Sequence, residues 1–228
     1  MLEINELHVS YGENRVIENL SLNLPLQQVH GLVGMNGAGK TTLLNTLAGF
    51  ISQGSGTVKM HGKPIQMHDV AFMETETFFY SYITGREYLE LFRVPAGAPD
   101  IAEWNGLFKL PLDQLVDTYS SGMKKKLALI GVLRQGKPLV ILDEPFNGLD
   151  MESSRLLSLV ISRLKEKGTT VILTSHILGA LTGICDHIHL LRNGKISFSR
   201  ERQQFSGLEE EIFREVDEGY VELVRGVV

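Results

Sequence analysis

The chain has 228 residues, of which 43% are hydrophobic, and this suits one compact α/β domain, alone or with an insertion. A formal net charge of -5 argues against a nucleic-acid-binding surface, which normally carries an excess of basic residues. The single cysteine, Cys185, cannot form a disulfide within the chain, so a reducing cytoplasm is the expected compartment. Charges in the segment MLEINELHVS argue against a signal peptide there, and no apolar run approaches the ~20 residues needed to span a bilayer.

The first half of the chain predicts strands followed by a helical region. Two segments alternate apolar and polar residues, as half-exposed strands do, and a third is more apolar. A helix follows a glycine-rich turn, and a hairpin turns at His61-Gly62. The predicted elements are strands over 2–11, 16–24 and 28–34, a helix over 43–50 and a hairpin over 55–65. Short helical patterns without a convincing strand then predict a helical insertion over 76–135.

The second half of the chain predicts alternating strands and helices. The run PLVILDEP is short, apolar and branched, as a central parallel strand is, and TTVILTSH is similar. The amphipathic helix between them is expected to end at Gly168, and Asn193-Gly194 suits a type I′ hairpin turn. The predicted elements are strands over 138–145 and 169–176, a helix over 153–168, a hairpin over 187–199, and a helix with a short strand over 205–224.

Residues 34–41, GMNGAGKT, fit the pattern G-x-x-x-x-G-K-[ST] between a predicted strand and a predicted helix. The three glycines let backbone N–H groups surround phosphate oxygens. Lys40 can reach the β and γ phosphates, Thr41 can ligate Mg²⁺, and Thr42 can add a phosphate contact. A simple glycine turn would explain the glycines but not Lys-Thr at this spacing, so the motif predicts nucleotide binding.

Two adjacent acids, Asp143 and Glu144, follow the apolar run LVIL. Because side chains alternate along a strand, the two carboxylates point in different directions. Asp143 can then hold the Mg²⁺ shell, while Glu144 orients or deprotonates a water that attacks the γ-phosphate. The alternative is that the acids only cap the end of a strand.

The segment SSGM, residues 120–123, precedes a predicted helix and is a second candidate anion site. Ser120 offers a hydroxyl, Gly122 an open N–H, and the helix its positive end. Three lysines, Lys124 to Lys126, follow where a helix N-terminus disfavours cations. Two chains facing each other could each lend this segment to the other's nucleotide. The alternative is an ordinary serine cap followed by solvated lysines.

With these motifs in this order, the chain resembles the nucleotide-binding subunits of ABC (ATP-binding cassette) transporters from residue 2 to about 200. GMNGAGKTT resembles the Walker A loop, LVILDEP the Walker B strand, and FNGLD, ending at Asp150, the D-loop. YSSGM resembles the signature motif in the form found in ABC-2-type exporters, with Ser121 in place of its first glycine. His176 matches the switch histidine and Tyr11 the aromatic residue that stacks on adenine.

The resemblance implies a P-loop NTPase with a RecA-like core, a small antiparallel β-subdomain and an inserted helical subdomain. Within a single domain over 1–228, the core spans 1–75 and 136–205, the helical subdomain 76–135, and the tail 206–228. It implies Glu144, His176 and Lys40 as catalytic residues, and Thr41 and Asp143 as metal ligands. The implied ATP-binding residues are Tyr11, Gly34, Met35, Asn36, Gly37, Ala38, Gly39, Lys40, Thr41, Thr42, Ser120, Gly122 and Asp150.

The implied function is ATP hydrolysis, with Mg²⁺, that powers a separate membrane permease, and the form of the signature motif favours an exporter. The partners would be that permease and a second ATPase subunit, identical or related, on the inner face of the membrane, with no nucleic acid. Two alternatives remain open from the sequence. One is a soluble ABC ATPase without a transport role, and the other is a regulatory module that binds ATP with weak turnover.

One motif of the family is missing from the sequence, and three further features lie outside the family motifs. The family has a glutamine before the helical insertion, but a gap-free alignment puts Thr75 there, flanked by Glu74 and Glu76. The aromatic residues that follow belong either to the core of the insertion or to a groove for a permease helix: Phe78, Phe79, Tyr80 and Tyr82. Cys185 is expected in the core, and neither His187 nor His189 is expected to ligate a metal.

Overall fold

The computed structural model describes residues 1–214, which form two β-sheets, six α-helices and a further helical segment over 208–214. A four-stranded antiparallel sheet has the order β2-β1-β4-β5, and a six-stranded, mostly parallel sheet has the order β10-β9-β3-β8-β7-β6. The strands are β1 (Leu2–Tyr11), β2 (Asn14–Leu24), β3 (Val29–Val33), β4 (Ser55–Met60), β5 (Lys63–Pro64), β6 (Val70–Met73), β7 (Leu139–Leu142), β8 (Thr170–Thr174), β9 (His187–Arg192) and β10 (Lys195–Glu201). The helices are α1 (Lys40–Leu47), α2 (Gly85–Glu90), α3 (Ile101–Phe108), α4 (Ser121–Leu133), α5 (Met151–Glu166) and α6 (Leu178–Ile184).

The parallel strands of the six-stranded sheet place the candidate functional residues together, next to the carboxyl ends of the strands. Strands β7 and β8 are fully buried, and their apolar, branched residues suit a sheet covered on both faces. They pair in parallel with each other, and β8 also pairs in parallel with β3. The carboxyl ends of β3, β7 and β8 therefore meet at one edge, where the glycine-rich turn and the two acids follow.

The buried residues divide into three hydrophobic clusters. One joins the antiparallel sheet to α1 and includes Ile4, Leu20 and Leu44. A second lies between the parallel sheet and the helices α4, α5 and α6. The third holds α2, α3 and α4 together around Leu89 and Leu127, neither of which is exposed to solvent.

Most predicted elements are present with boundaries shifted by a few residues. Asn193 and Gly194 have φ angles of 48° and 73°, which confirms the positive-φ turn expected from Asn-Gly. Helix α1 begins at Lys40, before the predicted residue 43, because the turn itself starts the helix. The sequence pattern did not predict β6, which has four residues and lies at the edge of the sheet. Residues 208–214 are helical, and the rest of the predicted tail lies outside the described residues.

Within residues 1–214, no helix combines the length and the apolar character needed to cross a membrane.

Candidate nucleotide site

The glycine-rich turn leaves β3 and starts α1 with two residues in the left-handed region. Gly37 and Gly39 have φ angles of 80° and 103°, which favour glycine. A Cβ on Gly39 would also approach Ile17 Cδ1 to 2.9 Å, so a side chain there would require Ile17 on β2 to shift. The result is a loop of backbone N–H groups at the N-terminus of α1, a geometry that binds phosphate.

Lys40 folds back over this loop. Its Nζ donates to the carbonyl oxygens of Gly34 at 2.7 Å and of Met35 at 3.2 Å. Partial burial lowers the pKa of Lys40, although the nearby Glu144 and Asp143 act in the opposite direction. The ammonium therefore lies against the loop, within electrostatic reach of both acids.

Asp143 is buried and accepts two hydrogen bonds from side chains of the site. Only 2% of its surface is exposed, and its Oδ2 accepts from Thr41 Oγ1 at 3.0 Å. Its Oδ1 accepts from Thr174 Oγ1 at 2.5 Å, and the same hydroxyl accepts from the Glu144 N–H at 2.8 Å. Thr174 thus fixes the Asp143 carboxylate and the backbone of Glu144. No sequence motif predicted this role for Thr174; the available signal was a hydroxyl at the end of a buried strand.

Glu144 and His176 form a pair beside Asp143. The His176 Nδ1 lies 3.0 Å from Glu144 Oε2, and the imidazole is largely exposed while the carboxylate is mostly covered. Glu144 has a φ angle of 50°, which costs of order 1–3 kcal/mol for a residue with a side chain. Both acids lie after β7, which ends at Leu142, so the alternation of a strand, from which their different directions were predicted, does not extend to them.

The predicted second anion segment starts α4 as expected. Ser120 is the N-cap, and its Oγ accepts from the Met123 N–H at 3.2 Å. A Cβ on Gly122 would lie 3.1 Å from the Gly148 carbonyl oxygen, so the segment packs against the loop that follows the acids. In the described structure Ser120 therefore makes the bond of an ordinary serine cap.

Asp150 ties the same loop to α4 and starts α5. Its carboxylate accepts from the Ser153 N–H at 2.7 Å and from Lys126 Nζ at 3.0 Å. These bonds, first that from the Ser153 N–H, hold the pKa of Asp150 well below its usual range. Of the three lysines at the start of α4, Lys126 therefore has a partner that is distant in sequence.

Tyr11 lies in the antiparallel sheet, on a different element from the glycine-rich loop. Tyr11 ends β1, faces Asn14 across the turn to β2, and has 52% of its surface exposed. An exposed ring at this position is available for stacking. Inside the loop, the Ala38 N–H donates to the Met35 carbonyl oxygen at 3.1 Å.

The loop that lacks glutamine follows β6 directly. The Met73 carbonyl oxygen accepts from the Asp143 N–H at 2.9 Å, and the Thr75 carbonyl oxygen accepts from Lys125 Nζ at 3.2 Å. Glu74 and Glu76 are exposed. The loop is therefore held by its backbone.

The remaining predictions concern residues away from this site. Cys185 is fully buried, and burial raises the pKa of its thiol, which confirms its place in the core. His187 and His189 stack with His30 on adjacent strands, with ring centroids 5.1 and 5.5 Å from that of His30. His189 Nδ1 lies 2.7 Å from Ser199 Oγ. These histidines thus take part in ring stacking and hydrogen bonding inside the sheet.

Comparison with known proteins agrees with this geometry. The model of the ABC transporter family matches residues 17–147. The lantibiotic transport ATP-binding protein SrtF of Streptococcus pyogenes is 31% identical over 217 residues, which cover 92% of this chain and 95% of that protein. The bacitracin transport ATP-binding protein BcrA of Enterococcus faecalis is 32% identical over 210 residues, covering 86% of this chain and 68% of that protein.

Solved structures give the same result for the fold. An ATP-binding subunit of an ABC transporter superposes with a TM-score of 0.82 and 26% identity, covering 98% of this chain and 99% of that chain. A dimeric ATP-binding cassette in a post-hydrolysis state with ADP and Pi superposes with a TM-score of 0.78 over 89% of this chain and 99% of that one. At 19% identity the second likeness concerns the fold alone.

The glycine-rich loop, the acidic pair and the parallel sheet define a P-loop ATPase. More specifically, the chain belongs to the ABC transporter family as an ATP-binding, ATP-hydrolysing subunit. The expected fold class, a P-loop NTPase with additional antiparallel strands, is confirmed.

Proposed function

We propose that the described site hydrolyses ATP with Mg²⁺ and that the chain powers a separate membrane permease. The observation that supports this most directly is the bond of 3.0 Å between Thr41 Oγ1 and Asp143 Oδ2. It brings the hydroxyl that follows the P-loop lysine and the carboxylate that follows β7 to the same point, near the Lys40 ammonium. Nucleotide phosphates and a hard cation fit such a point.

The Mg²⁺ site would consist of Thr41 and Asp143, with phosphate oxygens and water completing the shell. Among residues 1–214, no group of three or more His, Cys, Asp and Glu side chains forms a complete metal site. Mg²⁺ needs none, because it is usually held by one or two protein oxygens and the substrate phosphates. Bound there, the ion would neutralise charge on the β and γ phosphates.

Glu144 acts as the general base in this proposal, and His176 positions it. The distance of 3.0 Å between His176 Nδ1 and Glu144 Oε2 holds the carboxylate in one orientation. An attacking water that donates to Glu144 would transfer its proton there as it approaches the γ-phosphate. The exposed imidazole of His176 is free on its other side to contact the γ-phosphate.

The proposed contacts to the phosphates and to adenine are made by the residues that the sequence predicts. Backbone N–H groups of residues 34–42 would hold the phosphates, and the exposed ring of Tyr11 would stack on adenine. The second protomer would supply Ser120 and Gly122, in a head-to-tail dimer with an identical or related chain. The packing of Gly122 against Gly148, and of Lys126 against Asp150, would carry that contact to the acidic pair.

The permease would dock on an aromatic cavity of about 310 Å³ beside β6. Its lining includes Phe50, Phe72, Phe78 and Tyr88 and continues to Glu74 in the loop after β6. Phe78 is 71% exposed, which suits a surface that an amphipathic helix of a permease covers. Phe79 instead packs on Tyr88 with ring centroids 4.7 Å apart and belongs to the core of the helical region.

This docking places the chain on the inner face of the cell membrane, where ATP is available. The division into a core of residues 1–75 and 136–205, a helical subdomain of 76–135 and a tail of 206–228 is part of the same proposal. The lantibiotic and bacitracin transport relatives, together with the YSSGM form of the signature segment, favour an exporter.

Replacing Glu144 by Gln tests the proposal. The amide still forms hydrogen bonds with water but is a poor base, so the variant should bind ATP and release little phosphate. ATP should then hold a stable dimer, which size-exclusion chromatography detects. Met151→Ala, an exposed change outside the site, is the control and should match the parent. Phosphate release by the Glu144→Gln variant at the parent rate would contradict the assignment of the base.

A further inference from the structure

Lys125 is a buried cation for which the proposed function has no role. Its surface is only 9% exposed, and the residues that follow it in α4, Leu127 to Leu129, are fully buried. An ammonium removed from water costs several kcal/mol unless polar partners or opposite charges compensate. The position of Lys125 therefore has to be explained by what its Nζ contacts.

The contacts of Lys125 lead to the acidic pair. Its Nζ donates to the Thr75 carbonyl oxygen at 3.2 Å. Two residues earlier, the Met73 carbonyl oxygen accepts from the Asp143 N–H at 2.9 Å. The lysine thus fixes the short segment of backbone that also fixes Asp143.

The charges around Lys125 also connect it to the acidic pair. Burial lowers the pKa of Lys125, while the negative charges of Asp143 and Glu144 act in the opposite direction. The second effect requires the ammonium to lie within electrostatic reach of both carboxylates. The cation therefore offsets part of the negative potential at the point where the divalent ion would bind.

We propose that Lys125 is a positioning residue for ATP hydrolysis, which fixes the Thr75 loop behind Asp143 and tunes the affinity of the acidic pair for Mg²⁺. This inference rests on the proposed function. Because α4 also begins with Ser120 and Gly122, Lys125 connects the segment that faces the second protomer to the metal end of the site. The exposed Thr75 side chain takes no part, because the lysine binds the backbone.

The test replaces Lys125 by Met, which has similar length and no charge. We expect kcat to fall about tenfold, the effect of ~1.4 kcal/mol on the barrier, and the KM for ATP to change by less than about twofold. The Mg²⁺ concentration for half-maximal rate should fall, since a repelling positive charge has been removed. The melting temperature should stay the same or rise, because a buried charge has been replaced by an apolar side chain.

Two further variants separate positioning from packing. Lys125→Arg keeps the charge and the donor and should restore most of the rate and the parent Mg²⁺ requirement. Lys124→Met removes a charge from the same turn, but its side chain points ~100° away around the helix, so it should behave as the parent.

The results distinguish a failure of the role proposed for Lys125 from a failure of the proposed function. If the parent releases no phosphate, the proposed function fails. If the parent is active and Lys125→Met matches Lys124→Met in both rate and Mg²⁺ requirement, the role of Lys125 is wrong. If Lys125→Met does not fold, Lys125→Gln takes its place as a neutral donor, and a parent Mg²⁺ requirement in that variant overturns the proposal.

Discussion

Removal of the Thr174 hydroxyl tests whether the buried bonds behind the acidic pair hold the site together. Thr174→Val keeps the branched shape of the side chain and loses two bonds. One is donated to Asp143 Oδ1 at 2.5 Å, and the other is accepted from the Glu144 N–H at 2.8 Å. Thr174 has no exposed surface, so the two partners are left without an equivalent donor or acceptor.

The expected loss follows from the two bonds. A hydrogen bond to a charged group contributes ~1.5–3 kcal/mol and a neutral one ~0.5–1.5 kcal/mol, so the variant should lose about 3 kcal/mol of unfolding free energy. For a chain of this length, each kcal/mol lowers the melting temperature by ~2–4 °C, which predicts a decrease of ~6–12 °C. The kcat for ATP should fall as well, since the Asp143 carboxylate and the Glu144 backbone each lose a bond that fixes them.

Thermal unfolding without nucleotide provides the assay, and Thr170→Val provides a matched control on the same strand. Thr170 is equally buried, but its hydroxyl accepts a single bond, from the Gln27 N–H at 2.9 Å. That variant should lose ~1 kcal/mol, or ~2–4 °C, and keep its kcat. Equal decreases for the two variants, with kcat unchanged in both, would refute the assignment of Thr174 as the residue that orients the acids.

Three further predictions concern the borders of the site and the histidine stack. Tyr11→Ala should weaken ATP and GTP equally, by the ~1–3 kcal/mol of a stacking contact, and an unchanged affinity in a nucleotide titration would exclude the ring from the site. Thr75→Gln should raise basal phosphate release, because a longer amide can reach the metal and the attacking water, and a lower rate would contradict the gap-free alignment. Burial lowers the pKa of His30 from 6.5 to about 4 and that of His189 to about 3, so both stay neutral in the fold while the unfolded chain binds protons below pH 6.5. Stability is therefore fully present above pH 6.5 and decreases as the pH falls towards 4, by up to ~1.4 kcal/mol per pH unit for each histidine. Melting curves recorded at several pH values should show a smaller dependence of stability on pH for His189→Gln, and a dependence equal to that of the parent would exclude His189 as a cause.

Local chemistry explains which parts of the fold and the site were predictable from the sequence. The loop over 34–41 combines three glycines with Lys-Thr, and its conformation depends on its own residues and on the helix that it starts. The turn at Asn193-Gly194 needs only two positive φ angles, which these residues adopt at low cost. The strands β7 and β8 are continuous apolar runs, and such runs indicate a buried parallel sheet.

Strand order, which short-range patterns do not contain, explains what was missed. The strand β6 has four residues, too few for a period of two to be distinguished from a loop. Its place next to β7 is nevertheless what brings the Met73 carbonyl to Asp143. Thr174 is likewise close to Asp143 only because β8 pairs with β7.

The three lysines at the start of α4 show that short-range patterns do not explain the placement of charges either. Considered locally, cations at a helix N-terminus are unfavourable by ~0.3–1 kcal/mol each. Two of them have partners that are remote in sequence: Lys126 binds Asp150, and Lys125 binds the Thr75 carbonyl. A local cost at the helix end is thus offset by contacts to the two loops that flank the acidic pair. Since both loops depend on α4, a displacement of this helix when a second protomer binds would act on the metal end and on the loop after Glu144 together.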